Sequence, residues 1–221
     1  ENVNSPFEVL AVGGRNRKCP IPNDADIYII SVSDKAISAV AEELRDVSGL
    51  VVHTVGSVPM DVLPQTRRGV LYPLQTITKR RKLTPLRVPF YIEAKQEPDH
   101  DLLRSLAEAM GSTAMRMDSN RRRYLHLAAV FCCNFVNRLY GITAELLAEQ
   151  DIPFNVMLPL IHETADKMDE LMPRDAQTGP AVRWDEEVMS QQMSLLDDER
   201  RQIYQLLSKS IRDDKLRLEK D

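Results

Sequence analysis

Two short runs limit the fold more than anything else in the chain: Asp26-Ile27-Tyr28-Ile29-Ile30-Ser31-Val32 and Leu50-Val51-Val52-His53-Thr54. Both are β-branched and apolar at consecutive positions rather than at alternate ones. That is the pattern of strands covered on both faces, as in a parallel sheet. Between them Ala36, Ile37, Val40, Ala41 and Leu44 recur at helical spacing, Ser33-Asp34 offers capping oxygens, and Gly49 closes the segment. Strand, helix and strand within about 30 residues make a βαβ unit.

Further strands are expected at Phe7–Val12, ended by Gly13-Gly14, at Gly69–Pro73, at Pro89–Ala94 and at Thr113–Met117. A helix is expected over Asp101–Met110, with Leu102, Leu103, Leu106 and Ala109 inward. The alternation argues an α/β fold with a mostly parallel sheet. After Asp118 no strand pattern appears. Asp118-Ser119 can cap a long helix reaching about Gln150, and Pro153 starts another through about Leu171. Residues 173–180 connect to helices near Glu186–Leu196 and Asp198–Lys215. The expected organisation is therefore a Rossmann-like α/β domain over 1–118 and an all-α domain over 119–221.

Composition narrows the function classes. Basic residues number 29 against 33 acidic, a formal charge of −4. That gives no general attraction to nucleic acid or an anionic membrane. The basic runs Lys79–Lys82 and Arg121–Arg123 lack the interleaved aromatics that stack on bases. No uninterrupted apolar run approaches the roughly 20 residues of a bilayer span, and Glu1–Pro20 contains no apolar signal-peptide region. The expectation is a protein with no nucleic-acid or membrane partner. Three cysteines, Cys19, Cys132 and Cys133, cannot build a disulfide framework. The adjacent pair in a helical pattern should point to different sides. A reducing cytoplasm and no structural metal are expected.

Several strings resemble the Rossmann-like proteins that carry the domain of unknown function DUF2520. They are His53–Pro59, Gly69–Thr76, His126–Val130 with Asn134-Phe135, and Gln177-Thr178-Gly179-Pro180 followed by Arg183 and Asp185. They run in family order over most of the chain. The family is similar in layout to pyrroline-5-carboxylate reductases and β-hydroxyacid dehydrogenases. The resemblance implies an N-terminal NAD(P)-binding domain, a helical C-terminal domain and an active site between them. The sequence departs from that pattern at its start: no G-x-G-x-x-G turn is present to receive a pyrophosphate. By the resemblance Phe7–Val12 is the second strand, and Arg15–Asp24 leaves no room for the helix and strand that should follow it. The expectation is that the sequence as it stands lacks a first βα unit and an internal stretch; the alternative is a degenerate domain that binds no dinucleotide.

Candidate residues follow from that frame. Gly14-Arg15 directly follows the presumed second strand. Arginine there suits the 2′-phosphate of NADP, where an acid would suit NAD; the bland alternative is a solvated basic loop. Ser31, Val32 and Ser33 lie at the carboxyl end of the strongest strand, where ligands gather in open sheets, although Ser33 or Asp34 could simply cap a helix. Ser57 and Gln75 are uncharged groups on the next two loops, expected near the nicotinamide end. His53 reads more readily as a buried, hydrogen-bonded histidine. On the long helix Arg122, His126, Val130 and Asn134 fall four apart on one stripe. His126 and Asn134 are the expected catalytic pair, against a role in helix packing. No lysine lies on that helix, which departs from the dehydrogenase pattern. Gly179 and Arg183 could hold an anionic substrate group, against an interhelical turn with an Arg183–Asp185 surface pair. The resulting expectation is an NADP-dependent oxidoreductase acting on a small imino or keto acid, with a non-catalytic dinucleotide sensor or interaction protein as the alternative. The helical domain carries more apolar surface than one short bundle hides, so a homodimer through it is expected. Arg15→Ala should weaken binding of NADPH far more than of NADH in a fluorescence titration; equal losses would remove Arg15 from phosphate recognition.

Overall fold

A computed structural model of the chain describes residues 6–14, 19–78, 81 and 88–218. It divides into two compact units, Glu1–Val136 and Asn137–Asp221. The first unit holds a five-stranded sheet: β1 (Ile27–Ile30), β2 (Leu50–His53), β3 (Arg68–Pro73), β4 (Phe90–Ala94) and β5 (Ala114–Arg116), neighbouring in that order. β1 pairs parallel to β2 and β2 to β3; β4 then reverses, pairing antiparallel to β3 and parallel to β5. The architecture is a mixed, mostly parallel Rossmann-like sheet followed by helices, as the alternating pattern implied.

The βαβ unit is β1, α1 (Ile37–Glu43) and β2. Helix α1 lays Ile37 and Ala41 on one face of the sheet against Tyr28, Ile30, Val51 and Leu63. The opposite face buries Leu50, Val52, Leu71 and Ile92 against Leu103 of α2 (Glu97–Ala109). Fully burying each such aliphatic side chain contributes about 2 kcal/mol. Helix α2 begins four residues before its expected start, because Pro98 sits in its first turn, where a missing N–H costs nothing.

Two strand expectations need correction. Ile29 is 50% exposed, so β1 is covered on one face only. Helix α2 packs on β4 and β5, at the far side of the sheet from β1. Phe7–Val12 is not a strand: among the described residues 6–14 only Gly14, beyond it, makes a β-bridge, and Val9, Leu10 and Val12 are exposed. Propensity supplies a strand only where a neighbouring strand takes its hydrogen bonds.

Beyond β5, Ser119–Ala148 runs as one helix of 30 residues. Asp118 caps it, its carboxylate accepting from Arg121 N at 2.9 Å. Its parts are α3 (Ser119–Ala129), a π-helical turn (Val130–Phe135) and α4 (Val136–Ala148). The π-turn widens the helix, so the residue-to-residue rotation falls. Cys132 and Cys133, both exposed, consequently bring their sulfurs to 3.8 Å instead of pointing apart. By length and mean hydropathy this helix suffices to cross a bilayer, although none of its apolar window is buried. The uninterrupted-run criterion missed it because a mean tolerates His126, Asn134 and Asn137.

The second unit continues α4 and adds α5 (Leu158–Asp166), α6 (Pro180–Arg183), α7 (Glu186–Ser194) and α8 (Asp198–Leu218). Within it α6 packs on both α7 and α8. Arg200 ties α8 to α4 through Glu145 at 3.1 Å and Glu149 at 2.6 Å.

One position tests the sheet sharply. A Cβ on Gly69, the second residue of β3, would stand 2.5 Å from the Glu93 carbonyl oxygen across the strand pair. Gly69→Ala should lower stability by about 1–3 kcal/mol through overpacking, read as a shifted denaturant midpoint; an unchanged midpoint would contradict this β3–β4 register.

Candidate functional site

Because β1, β2 and β3 are mutually parallel, their carboxyl ends share one edge of the sheet. The segments after them carry Ser31–Asp34, Thr54–Val58 and Leu74–Thr78. Two hydrogen bonds join the first pair of loops. Ser57 Oγ donates to Asp34 Oδ2 at 2.7 Å, and Thr54 Oγ1 donates to Ser31 Oγ at 3.4 Å. Ser33 occupies the position before a 3₁₀ turn but makes no side-chain cap. Asp34 is committed to Ser57, so capping is not what these side chains do.

Helix α3 is set against that edge by a buried polar cluster. Arg122 is fully buried. Its Nη1 pairs with Glu93 of β4, and its Nη2 donates to the Val58 carbonyl at 2.7 Å and to Ser119 Oγ at 3.1 Å. Ser119 Oγ donates in turn to Glu93 at 2.7 Å and accepts from Met60 N at 3.0 Å. The first turn of α3 is thus bound both to the sheet and to the segment after β2.

One helical turn beyond Arg122, His126 meets Tyr72, the residue before the last of β3. Tyr72 Oη and His126 Nδ1 are 3.0 Å apart, and the rings meet edge-on with centroids at 5.9 Å. Gly56 fits beneath them: a Cβ there would lie 2.8 Å from both His126 Nδ1 and Tyr72 Cζ. Tyr72 is buried and His126 half-buried. Burial pushes the Tyr72 phenol above its ordinary pKa, so it stays protonated at neutral pH.

His53, at the end of β2, has a different part. It is fully buried, Val55 N donates to its Nδ1 at 3.2 Å, and its Nε2 faces the Pro59 carbonyl at 3.4 Å. Burial first, then the Arg122 charge, lowers its pKa to about 4. The ring is neutral and structural, in line with the reading from sequence.

The remaining candidates are placed unevenly. Ser31, Val32, Ser33, Ser57 and Gln75 are all exposed along the carboxyl edge, with Gln75 Oε1 accepting from Thr76 N at 2.9 Å. Gly14 is exposed, and Arg15 lies outside the described residues. Asn134 is exposed in the π-turn, two turns past His126, and is not brought to the Tyr72–His126 pair. Gly179 has φ +108° and precedes α6, and Arg183 is exposed at its end. The surface pair Arg183–Asp185 does not form; Asp185 caps α7 through Val188 N at 3.2 Å. Sequence reasoning gave no role to Glu93, took Ser119 only as a possible cap and Tyr72 only as part of a loop string, and placed Arg122 both in a basic run and on the His126 stripe without expecting its burial. A charged residue inside the apolar run of β4 was the available signal for Glu93.

Comparison with known proteins bears on the family and the fold. The model of the domain of unknown function DUF2520 matches residues 88–211. A Bacteroides fragilis protein described as a "putative NADP oxidoreductase" is 42% identical, with TM-score 0.82, over 87% of this chain and 77% of that one. The chain belongs to the DUF2520 family. At the level of fold alone, this DUF2520 protein also resembles a Thermotoga maritima protein (20% identity, TM-score 0.67, 86% of this chain and 78% of that one). It resembles likewise the Plasmodium falciparum pyrroline carboxylate reductase with NADP bound (10% identity, TM-score 0.55, 92% and 88%). No curated protein matches the chain.

The depressed His53 pKa makes stability depend on pH. The unfolded chain binds a proton near pH 6.5 that the folded ring refuses until about pH 4. His53 therefore contributes no pH dependence above about 6.5, and stability falls as pH drops through the window from 6.5 to 4. The loss is about 3 kcal/mol in all. Urea titrations at pH 7 and pH 4.5 should show it, and His53→Gln should flatten that part of the profile.

Proposed function

We propose that this protein is an NADP-dependent oxidoreductase that transfers a hydride between the nicotinamide cofactor and a small imino or keto acid. The observation that carries the reading is the Tyr72–His126 pair, held at the carboxyl edge of three parallel strands. That edge is where open α/β sheets bind ligands. The 42% identical relative described as an NADP oxidoreductase supports the cofactor class.

The described residues fit the cofactor in part. Ser31, Val32, Ser33, Ser57 and Gln75 give an exposed row of mostly uncharged donors and acceptors after β1, β2 and β3, suited to ribose and carboxamide groups. No glycine-rich turn opening a helix lies among them to receive the pyrophosphate. Gly14 and Arg15 would take the 2′-phosphate end. When bound, NADPH supplies the hydride.

The side chains of the chain itself supply the polar half of the reaction. A protonated Tyr72 phenol donating to Nδ1 leaves the imidazole proton on Nε2 of His126. In that tautomer His126 presents an N–H that can hydrogen-bond to a substrate carbonyl or imine and polarise it for hydride attack. Gly179 and Arg183 have the chemistry to recognise a substrate carboxylate; Asn134, exposed two turns past His126, is left out of this reading.

The test is NADPH binding by fluorescence, with consumption followed across a panel of imino and keto acids. His126→Ala should lower kcat by about 10²–10⁴-fold, with Tyr72→Phe intermediate and NADPH affinity kept in both. Undiminished turnover in His126→Ala would overturn the assignment. Binding without any turnover would support the dinucleotide sensor, a reading favoured by the lack of a lysine on the long helix.

A further inference from the structure

We infer that Tyr91 is a second phenol of the candidate site and that its hydroxyl hydrogen-bonds the reacting carbonyl or imine of the substrate beside His126. The inference rests on the hydride-transfer reading proposed above and adds a residue to it.

The placement follows from register. Tyr91 and Glu93 stand two apart on β4, so both point to the face of the sheet that α3 covers. Glu93 meets Arg122 and Ser119 there. Ile92, between them, points to the other face, against Leu103. Two residues of strand advance about 6.8 Å, and four residues of helix about 6 Å. The step from Glu93 to Tyr91 therefore matches the step from Arg122 to His126, which brings Tyr91 to the level of the histidine. The strand pairing agrees: Tyr91 is the cross-strand partner of Tyr72, whose Oη lies 3.0 Å from His126 Nδ1. Tyr91 is also close enough that a charge on it would push the Tyr72 phenol further up.

The Tyr91 hydroxyl is uncommitted. Tyr28 donates to the Pro22 carbonyl at 2.6 Å, Tyr72 is bonded to His126, and Tyr204 donates to Gln192 at 2.6 Å. Tyr91 is half-buried, yet among the described residues it has no hydrogen-bond partner and no ring contact. A phenol withdrawn from water normally finds a partner for its O–H. Here that donor is left for a ligand.

The free side of His126 is the side of Tyr91. Gly56, after β2, lies against the opposite edge of the ring: a Cβ on it would stand 2.8 Å from Nδ1 and 2.9 Å from the histidine Cβ. Nε2 faces away from that contact. β4 lies across β3 from β2. Hydride addition forms a C–H bond and moves the C=O or C=N π pair onto oxygen or nitrogen, which then takes a proton from water. Two neutral donors, His126 Nε2–H and Tyr91 Oη–H, stabilise the charge while it is there.

Tyr91→Phe removes the hydroxyl and keeps the ring. In the full chain kcat should fall about 10²-fold, while KM, NADPH affinity and the urea midpoint hold. A role in packing alone would leave kcat untouched, because the ring is retained. A second measurement needs no turnover. In a chain carrying tyrosine labelled with ¹³C at Cζ, the Tyr91 resonance, assigned by its loss in Tyr91→Phe, should shift when pyruvate or 1-pyrroline-2-carboxylate is added with NADP. A shift without NADPH consumption keeps Tyr91 as a ligand-binding residue and defeats the hydride-transfer reading. NADPH consumption with an unchanged kcat in Tyr91→Phe overturns the inference and leaves that reading standing. Neither consumption nor a shift overturns both.

Discussion

Arg122 takes a full positive charge out of water, and the rest of the candidate site depends on what it meets there. Desolvating a guanidinium costs several kcal/mol, which a single carboxylate returns only when other acceptors complete the shell. Here Glu93, the Val58 carbonyl and Ser119 Oγ take the two terminal nitrogens, while the buried Nε has no partner among the described residues. The pair contributes little net stability compared with an apolar substitute, yet it can form in one arrangement only. Glu93 sits at a single position on β4 and Val58 on a single loop, so α3 has one register and one rotation. His126 is placed over Tyr72 as a consequence. Removing either charged partner would strand the other and cost about 3–5 kcal/mol.

The same cluster explains why α3 belongs to the sheet unit although its sequence reads as the start of the helical part. Ser119, Arg122 and His126 all bond to strands or to the segments that follow them. Hydrophobic periodicity reports which face of a helix is apolar and is blind to which body a polar contact joins. The core strands were legible because β-branched residues at consecutive positions have few other homes. Arg122 was legible as the arginine that shares a stripe with His126, but not as a buried charge, because helical spacing tells which residues share a face and not which face is covered. The π-turn was equally hidden, since it arises from packing and leaves no signature in residue type.

Family membership and geometry bear on different parts of the functional reading. The relatives speak to the dinucleotide class. Tyr72 and His126 speak to what this chain can do with a proton, and their 3.0 Å contact stands independently of any relative. His53 shows the complementary point. A histidine on the same edge, desolvated and held by a backbone amide, has been made unfit for acid–base work near neutral pH.

The reversal between β3 and β4 has a consequence for how such a site can diversify. Pro73 pairs with Phe90, so the chain leaves the sheet and re-enters it on the edge where Ser31 and Ser57 stand. Leu74 and Pro89 therefore stand together at that edge, the Leu74 amide donating to the Pro89 carbonyl at 3.0 Å. A connection closed in this way at its base can change length without disturbing a single strand pairing, so its composition is free to alter what the edge meets while the scaffold stays as it is.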